Sequence, residues 1–260
     1  MRIGQVQVDA VYDGVGYADP LRFPGTTEDM WAQHRQFLNP DGKLELALGG
    51  FLVRGAADRV TLVDLGFGTT QSAVFVGGQL LDSLARLGVR PDEITDIVLT
   101  HLHFDHVGWA SQGGRSVFPN ATYRCASQDL AHFFGREERV TNVLSPVQNQ
   151  LQTWESSGPI VPGVDAIMAA GHTPGSTIVV ISSGSARGLL LGDVVHCPVE
   201  LIDDEWSGMA DVDPELAKRT RNTLAREIEG TDTPVAAAHF PGLVFGRLLA
   251  ANGKRTWTVS

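Results

Sequence analysis

Cysteine is scarce in this sequence: Cys125 and Cys197 are the only two among 260 residues. They lack the close spacing of a cysteine metal site, and two such isolated thiols are typical of buried free cysteines in a reducing compartment. We therefore expect no disulfide and a cytoplasmic location.

Long apolar runs and a surplus of basic residues are also missing. No run approaches the ~20 apolar residues of a membrane span, and residues 1–14 contain no basic segment followed by an apolar stretch, so we expect neither a membrane anchor nor a secretion signal. The 20 basic and 30 acidic residues give a formal net charge of −10. Nucleic-acid binding normally needs a basic face, so no nucleic-acid partner is expected. The charge favours solubility and an uncharged small molecule as substrate.

The residues that are present are typical of a globular protein. Hydrophobic residues make up 43% and charged residues 19%, and the 29 glycines and 13 prolines are scattered along the chain. Several apolar runs stop abruptly at a glycine, an acid or a histidine, which indicates short buried strands. The clearest lie within residues 60–64, 97–101, 166–172, 189–193 and 235–239.

Helices are predicted between and around these strands. Residues 213–229 carry the clearest signals, with Asp213 as N-cap, Pro214 at the first position and Gly230 after the end. Residues 79–87, 128–135 and 141–154 are further predicted helices. Together the elements predict a layered α/β protein that forms one domain over residues 1–260, with ligands gathered at the strand ends.

The first 43 residues differ from the rest, with turn signals around a short predicted helix at residues 28–38. Their aromatic and apolar side chains include Phe23, Trp31, Phe37 and Leu38. We interpret residues 1–43 as a lid over a pocket or as the contact of a homodimer. Ordinary packing onto the core is the alternative.

One run of six residues contains four strong metal ligands: His101, His103, Asp105 and His106. In an extended turn, the first two imidazoles point to the same side, and the other two side chains can face a second point a few ångströms away. Neutral imidazole suits zinc, iron, cobalt or manganese, and a carboxylate adds a hard anionic ligand. Other histidines, such as His34 and His132, lie in helical, charged surroundings and are not counted as ligands.

One metal ion needs only three or four ligands, so this surplus predicts two divalent metal ions. Further candidate ligands stand at three distant strand ends. His172, Asp193 and His239 each follow an apolar run, and the two carboxylate oxygens of Asp193 can bridge both ions. Burying such a set without metal would cost much free energy.

The order HxHxDH, then Gly-His-Thr-Pro-Gly-Ser, then Gly-Asp and a late His resembles the metallo-β-lactamase superfamily over roughly residues 44 to 250. The resemblance implies a four-layer αββα sandwich. It implies that one metal is held by His101, His103 and His172, and the other by Asp105, His106 and His239, with Asp193 between them. Asp64 matches a family position whose implied role is structural.

Such a centre is expected to hydrolyse its substrate by attack of a hydroxide held between two metals, and no Gly-x-Ser-x-Gly motif suggests a serine nucleophile. Asp105, Asp193 and His196 are the candidate catalytic residues. An aspartate at position 193 favours the lactonase, glyoxalase II and phosphotriesterase branches over β-lactamases proper. The apolar C-terminal stretch, with few charges for a glutathione tail, argues against glyoxalase II.

Two reactions remain open: an N-acyl homoserine lactonase of the quorum-quenching type, and an aryl esterase or phosphotriesterase. Many of these lactonases have a tyrosine where this chain has His196, and the form Gly-Asp-x-x-His looks closer to the organophosphate hydrolase branch. His196 can contact the substrate oxygen or support Asp193. A metal-binding sensor or redox scaffold is the non-hydrolytic rival. Aromatic side chains at Phe104, Trp109, Trp206 and Phe240 are candidate walls for an acyl or aryl group.

Overall fold

The computed structural model describes residues 1–251 and 253–260, and its strands form two large sheets and one small one. The strands are β1 (Arg2–Ile3), β2 (Val6–Ala18), β3 (Leu44–Ala56), β4 (Arg59–Val63), β5 (Phe75–Val76), β6 (Asp96–Val98), β7 (Ser111–Gln112), β8 (Arg115–Ser116), β9 (Thr122–Ala126), β10 (Leu151–Trp154), β11 (Gly158–Val161), β12 (Val164–Met168), β13 (Thr177–Ser183), β14 (Ala186–Leu190), β15 (Val235–Ala236), β16 (Gly246–Ala251) and β17 (Lys254–Val259).

The helices lie between these strands. They are α1 (Glu28–Ala32), α2 (Leu80–Arg86), α3 (Phe104–Val107), α4 (Ser127–Phe133), α5 (Glu138–Leu144), α6 (Val199–Ile202) and α7 (Pro214–Ile228). Short 3-10 turns cover Pro20–Arg22, Arg35–Phe37, Pro91–Glu93, Ser145–Gln150, Gly192–Val194 and Pro241–Leu243. No helix in this described part of the chain has the length and apolar character needed to cross a bilayer.

The two large sheets differ in strand order. The first runs β1-β2-β3-β4-β6-β9-β10 with β5 paired to β2, and the second runs from β11 to β17 in chain order. In the first sheet β4, β6, β9 and β10 pair in parallel, and in the second β14 and β15 do so. The carboxyl ends of these parallel strands carry the loops discussed below.

Alternation along the strands assigns side chains to separate cores. Phe51 and Val53 of β3 lie in the core between the two sheets, whereas Leu52 lies in the outer core beneath α2, α4 and α5. On the other side Ile178 and Leu224 belong to the core between the second sheet and α7. Because successive strand residues face opposite sides, this pattern produces four layers. The predicted αββα sandwich is confirmed.

Most predicted elements are confirmed, and one is wrong in its second half. The five apolar runs form β4, β6, β12, β14 and β15, and Asp213 caps α7 by accepting a hydrogen bond from Leu216 N at 3.0 Å. The helix predicted over residues 141–154 ends as α5 at Leu144, and residues 151–154 form β10 beside β9. Pro146 has no backbone N–H to donate to a continuing helix. Residues 151–154 form a strand because they pair with β9, a long-range contact that the local sequence does not indicate.

The first 43 residues contribute to both sheet and loops. Arg2–Ile3 and Val6–Ala18 are strands of the first sheet, and the helix predicted over residues 28–38 is reduced to α1 and the turn Arg35–Phe37. Phe23 and Trp31 are buried against Trp206, with ring centroids 6.4 and 5.0 Å from it. These two aromatics therefore pack in the interior, as the alternative interpretation expected. A lid or dimer role for residues 1–43 stays a prediction.

Candidate metal centre

The seven predicted ligands converge in two adjoining groups at the strand ends. In each group the ligand atoms lie within 4.8 Å of one another. The first group consists of His101, His103, His172 and Asp193, and the second of Asp105, His106 and His239. Residues that are up to 138 positions apart in the sequence, from His101 to His239, are thereby brought to one place.

In the first group three imidazoles face one another. Nδ1 of His103 lies 3.1 Å from Nε2 of His101 and 3.0 Å from Nε2 of His172. Oδ2 of Asp193 lies 3.7 and 3.6 Å from the Nε2 atoms of His101 and His172. All four side chains direct a ligand atom toward a common centre.

The second group meets the first through Asp193. Its Oδ1 lies 3.2 Å from Nε2 of His106, and its Oδ2 lies 3.1 Å from Nε2 of His239. Asp105 completes the group, with Oδ2 at 3.6 Å from the same nitrogen of His239. Asp193 therefore belongs by distance to both groups.

These distances fit the donor set of a metal ion. A tetrahedral zinc site with metal–nitrogen bonds of about 2.0–2.1 Å separates its ligand atoms by about 3.3–3.4 Å. The separations quoted above run from 3.0 to 3.7 Å. In addition, Nε2 of His106 and Oδ1 of Asp193 are buried and lie 3.2 Å apart without the alignment of a hydrogen bond, and among the described residues neither has another hydrogen-bond partner. Buried polar atoms without partners are costly, and a cation would satisfy both.

Burial and neighbouring charges set the ionisation of these groups. Burial lowers the pKa of His103 to about 4, which keeps its imidazole neutral. Burial also lowers the pKa of His239, but the carboxylate of Asp193 outweighs it and raises the pKa to about 8. For Asp193 burial acts to raise the pKa, yet His239 and His106 hold it well below its usual range. The centre thus contains an ionised carboxylate among imidazoles, a combination that suits divalent cations.

Two of the ligand loops depend on glycine. Gly171 has φ +139°, and a Cβ there would lie 2.4 Å from Cα of Ala217 in α7. Gly192 has φ +53°, and a Cβ there would lie 2.6 Å from Oγ1 of Thr100. Only a residue without a side chain allows these close approaches, which place His172 and Asp193 directly after their turns.

Asp64 fixes the back of the centre. Its backbone has φ +61°, and its carboxylate accepts hydrogen bonds at 2.8 Å from both N and Oγ1 of Thr100. Nδ1 of His106 lies 2.9 Å from Oδ2 of Asp64, and Nδ1 of His239 lies 2.9 Å from the carbonyl oxygen of Ala47. These partners leave Nε2 of both histidines for the centre, which is the usual support of metal-binding histidines.

Asp129 was not identified from the sequence, yet it joins two ligand loops. This fully buried carboxylate accepts hydrogen bonds from Leu102 N at 3.0 Å, Thr173 Oγ1 at 2.9 Å and Gly175 N at 2.6 Å. It therefore ties the first histidine run to the turn after His172. An acid in a predicted helix gave no sign of this role, because its partners are distant in sequence.

His196 lies beside both groups. Its Nε2 is 3.4 Å from Oδ2 of Asp193, and its ring stacks on that of His239 with an interplanar angle of 3°. The side chain is 4% exposed and lines the cavity in front of the centre. This position allows contact with either a substrate or Asp193.

A cavity of about 450 Å³ opens over the two groups. Its walls are largely apolar and aromatic, and they include Ala18, Leu46, Phe67, Phe75, Phe104, Phe133, Val140 and Met209. The guanidinium of Arg139 lies over the ring of Phe104, with Cζ 3.7 Å from the centroid. Such an arrangement of one polar centre and apolar walls is typical of a small-molecule site.

The four aromatic candidates have different positions. Phe104 lines the cavity as expected, whereas Phe240, Trp109 and Trp206 do not. Trp109 donates a hydrogen bond from Nε1 to Asp13 at 2.7 Å, and Phe240 packs on Trp257 with centroids 5.1 Å apart. Cys125 and Cys197 are buried free thiols, as predicted.

The chain is similar in sequence and in fold to several known proteins. An N-acyl homoserine lactonase AiiA of Bacillus thuringiensis subsp. kurstaki is 29% identical over 170 residues, an alignment that spans 60% of this chain and 65% of the relative. The structure of AidC, a dizinc quorum-quenching lactonase in complex with a product, has a TM-score of 0.87 at 22% identity and covers 100% of this chain and 96% of that one.

A second solved structure, of the hydrolase AbOPH in the β-lactamase superfamily, has a TM-score of 0.86 at 25% identity over 100% of this chain and 95% of its own. The family profile described as the metallo-beta-lactamase superfamily matches residues 50–239. That match contains all seven predicted ligands and most of the chain. The chain therefore belongs to the metallo-beta-lactamase superfamily.

Proposed function

We propose that this protein is a metal-dependent hydrolase that opens a lactone or cleaves an ester, with N-acyl homoserine lactones as the first substrate class. The observation that carries the proposal is Asp193, which joins two groups of metal-type ligands at the base of a largely apolar cavity. Similarity to an N-acyl homoserine lactonase supports the choice of a lactone.

The donor set supports two divalent ions, with zinc as the first candidate and iron, cobalt or manganese as alternatives. The ligands would be His101, His103 and His172 for one ion, Asp105, His106 and His239 for the other, and Asp193 for both. When bound, such ions polarise a carbonyl oxygen and lower the pKa of water. The protein itself orients the imidazoles through Asp64 and the carbonyl of Ala47.

We assign His196 to the substrate side of the centre, where Nε2 can donate a hydrogen bond to the leaving oxygen. General acid contacts of this kind contribute about 10²–10⁴-fold in rate. His196→Gln is therefore expected to lower kcat by about 100-fold and leave the metal content unchanged. Steady-state kinetics and metal analysis of the same sample measure both quantities. Loss of metal in this variant would instead identify His196 as a support of Asp193.

The apolar walls support a substrate with an acyl chain or an aryl group. Phe104→Ala removes one wall together with the platform for Arg139. Burial of an aromatic side chain contributes about 1.5–3 kcal/mol, so we expect kcat/KM for a long-chain lactone to fall about tenfold. For a short-chain lactone it should change less than twofold. Phe134→Ala, outside the cavity walls, is the matched control, and equal losses for both chain lengths would contradict the assignment.

An aryl ester or phosphotriester is the second candidate substrate. The likeness to the hydrolase AbOPH at 25% identity and the histidine three residues after Asp193 favour it. The metal centre required is the same, and the cavity walls suit an aryl leaving group equally well.

Ring opening of a long-chain N-acyl homoserine lactone, followed by proton release, is the decisive assay. Metal-loaded protein should turn over the lactone at a catalytic rate, and chelated protein should not. Turnover of aryl esters or phosphotriesters alone would select the second candidate. Metal-loaded protein that hydrolyses none of them would contradict the hydrolase proposal and favour a metal-binding sensor.

We also propose that residues 1–43 cover the substrate cavity within a single domain of residues 1–260. Both ends of the chain contribute strands to the sandwich, β1 at one end and β17 at the other. Ala18 and Arg22 line the cavity, and Phe23 lies edge-on to His196 with centroids 6.4 Å apart. A homodimer through this segment is the alternative, which analytical ultracentrifugation would detect.

A further inference from the structure

One charged side chain occupies the buried stripe of α7. The inward positions of this helix are Ala217, Arg221, Leu224, Ala225 and Ile228, and all are apolar except Arg221. The arginine side chain is only 1% exposed. An arginine at such a position must have specific partners, because an unpaired buried charge is very costly.

The partners of Arg221 are two buried carboxylates, Glu200 in α6 and Asp211 in the loop before α7. Its Nη2 donates a hydrogen bond to Oδ2 of Asp211 at 3.1 Å, and its Nε lies 3.5 Å from Oε1 of Glu200. The side chains of Asp211 and Glu200 are 1% and 0% exposed. These three residues form a buried ionic cluster on the helix side of the metal centre.

Each carboxylate also contacts one histidine of the centre. Oδ1 of Asp211 lies 3.1 Å from Nδ1 of His172. Oε2 of Glu200 accepts hydrogen bonds from the backbone N of His196 at 2.6 Å and of Cys197 at 2.8 Å, and lies 3.7 Å from Nδ1 of His196. One guanidinium is thus connected to two separate histidines through two acids.

Stability alone gives no reason for this cluster. Replacing a buried ion pair or triad by apolar side chains of similar volume is often neutral or stabilising, because desolvation offsets the attraction. A planar guanidinium, in contrast, can hold two carboxylates in defined directions, which an ammonium group does less well. The geometry therefore favours a role in orientation.

We propose that Arg221 is a positioning residue that sets the orientation of His172 through Asp211 and of His196 through Glu200. The inference rests on the proposed function, since it treats His172 as a metal ligand and His196 as a group that contacts substrate. It predicts two separable effects, one on metal affinity and one on turnover.

Two measurements test these effects. Zinc affinity is measured by competition with a chelator, and kcat is measured with the ester that the wild type hydrolyses. Arg221→Met should lower zinc affinity by about 10–100-fold, the usual effect of losing support behind a ligand, and should also lower kcat. Asp211→Asn should reproduce the loss of affinity. Glu200→Gln should reproduce the loss of kcat while affinity changes less than threefold. Arg226→Met, on the exposed side of the same helix, is the matched control.

Two further variants separate orientation from folding. The double variant of Arg221→Met with Asp211→Asn should bind zinc within threefold of the weaker single variant, because both remove the same support. Compared with Arg221→Met, Arg221→Lys should have a melting temperature restored to that of the wild type, but its zinc affinity should remain low. If Arg221→Met fails to fold, the two carboxylate variants carry the test.

The outcomes distinguish this inference from the proposed function. Two results would overturn the role of Arg221 and leave the proposed function intact. One is wild-type zinc affinity in Arg221→Met together with a lowered melting temperature. The other is strictly additive losses of zinc affinity in the double variant. Wild-type protein that binds zinc but hydrolyses no ester overturns the hydrolase proposal and the kcat arm, and the affinity measurements still decide the link to His172. Wild-type protein that binds no zinc overturns both.

Discussion

Asp193→Ala is expected to abolish turnover and to remove at least one metal ion per chain. Oδ2 of Asp193 lies 3.7 and 3.6 Å from the Nε2 atoms of His101 and His172 in the first group, and its Oδ1 lies 3.2 Å from Nε2 of His106 in the second. Lewis-acid stabilisation by a metal contributes several kcal/mol, and about 1.4 kcal/mol corresponds to a tenfold change in rate. A loss of at least about 10³-fold in kcat is therefore expected, measured together with metal content by elemental analysis.

Two controls make this result specific to Asp193. Asp193→Asn keeps the shape of the side chain and removes its charge, so it should retain more metal than alanine but remain slow. Asp165→Ala changes an acid on β12 that contacts Ser182 rather than the centre and should behave like the wild type. Full metal content and normal turnover in Asp193→Ala would refute its place between the two groups.

Asp13→Ala is expected to produce the largest loss of stability. This residue is fully buried at a bulge of β2, and its carboxylate accepts six hydrogen bonds. The donors are the backbone N atoms of Phe67, Gly68, Gly78, Gln79 and Leu80, and Nε1 of Trp109. Hydrogen bonds to charged groups contribute roughly 1.5–3 kcal/mol each, so even with relaxation we expect a loss of at least about 4 kcal/mol.

A loss of this size is a large part of the roughly 5–15 kcal/mol that stabilises a folded domain. Urea unfolding followed by fluorescence measures it as a lower midpoint. Asp13→Asn should also destabilise the protein, because the NH2 group of the new amide is a donor and would face the N–H donors that surround this position. Asp41→Ala, at an exposed turn, should leave the midpoint unchanged. A midpoint for Asp13→Ala within 0.5 M of wild type, by rough allowance for measurement error, would contradict this account.

Most of the fold was predictable because its signals are local. Short apolar runs that end at a glycine, an acid or a histidine became β4, β6, β12, β14 and β15, and the caps of α7 were recognised from Asp213 and Pro214. The wrong prediction, a helix through residues 151–154, concerns an edge strand. Its conformation depends on pairing with β9 rather than on its own sequence.

The candidate ligands were recognised from residue type and spacing, since four of them occupy positions 101–106 and the others follow apolar runs. Of the buried acids around them, Asp64 was indicated by the family resemblance, but Asp13 and Asp129 were not recognised. Asp13 and Asp129 lie among many acids, and nothing near them in sequence indicates a buried carboxylate. Their partners are as far as 96 residues away for Asp13 and 46 for Asp129.

The sequence by itself indicated which side chains are candidate metal ligands and at which strand ends they stand, because spacing within a run and the end of an apolar run are local properties. Only the tertiary structure decided that Asp129 joins two ligand loops, that Phe67, Phe75 and Phe133 form part of the cavity walls, and that Arg221 faces two acids behind the centre. These arrangements depend on packing of the two sheets and α7. Hydrogen bonds and contacts between distant segments exist only after that packing has formed.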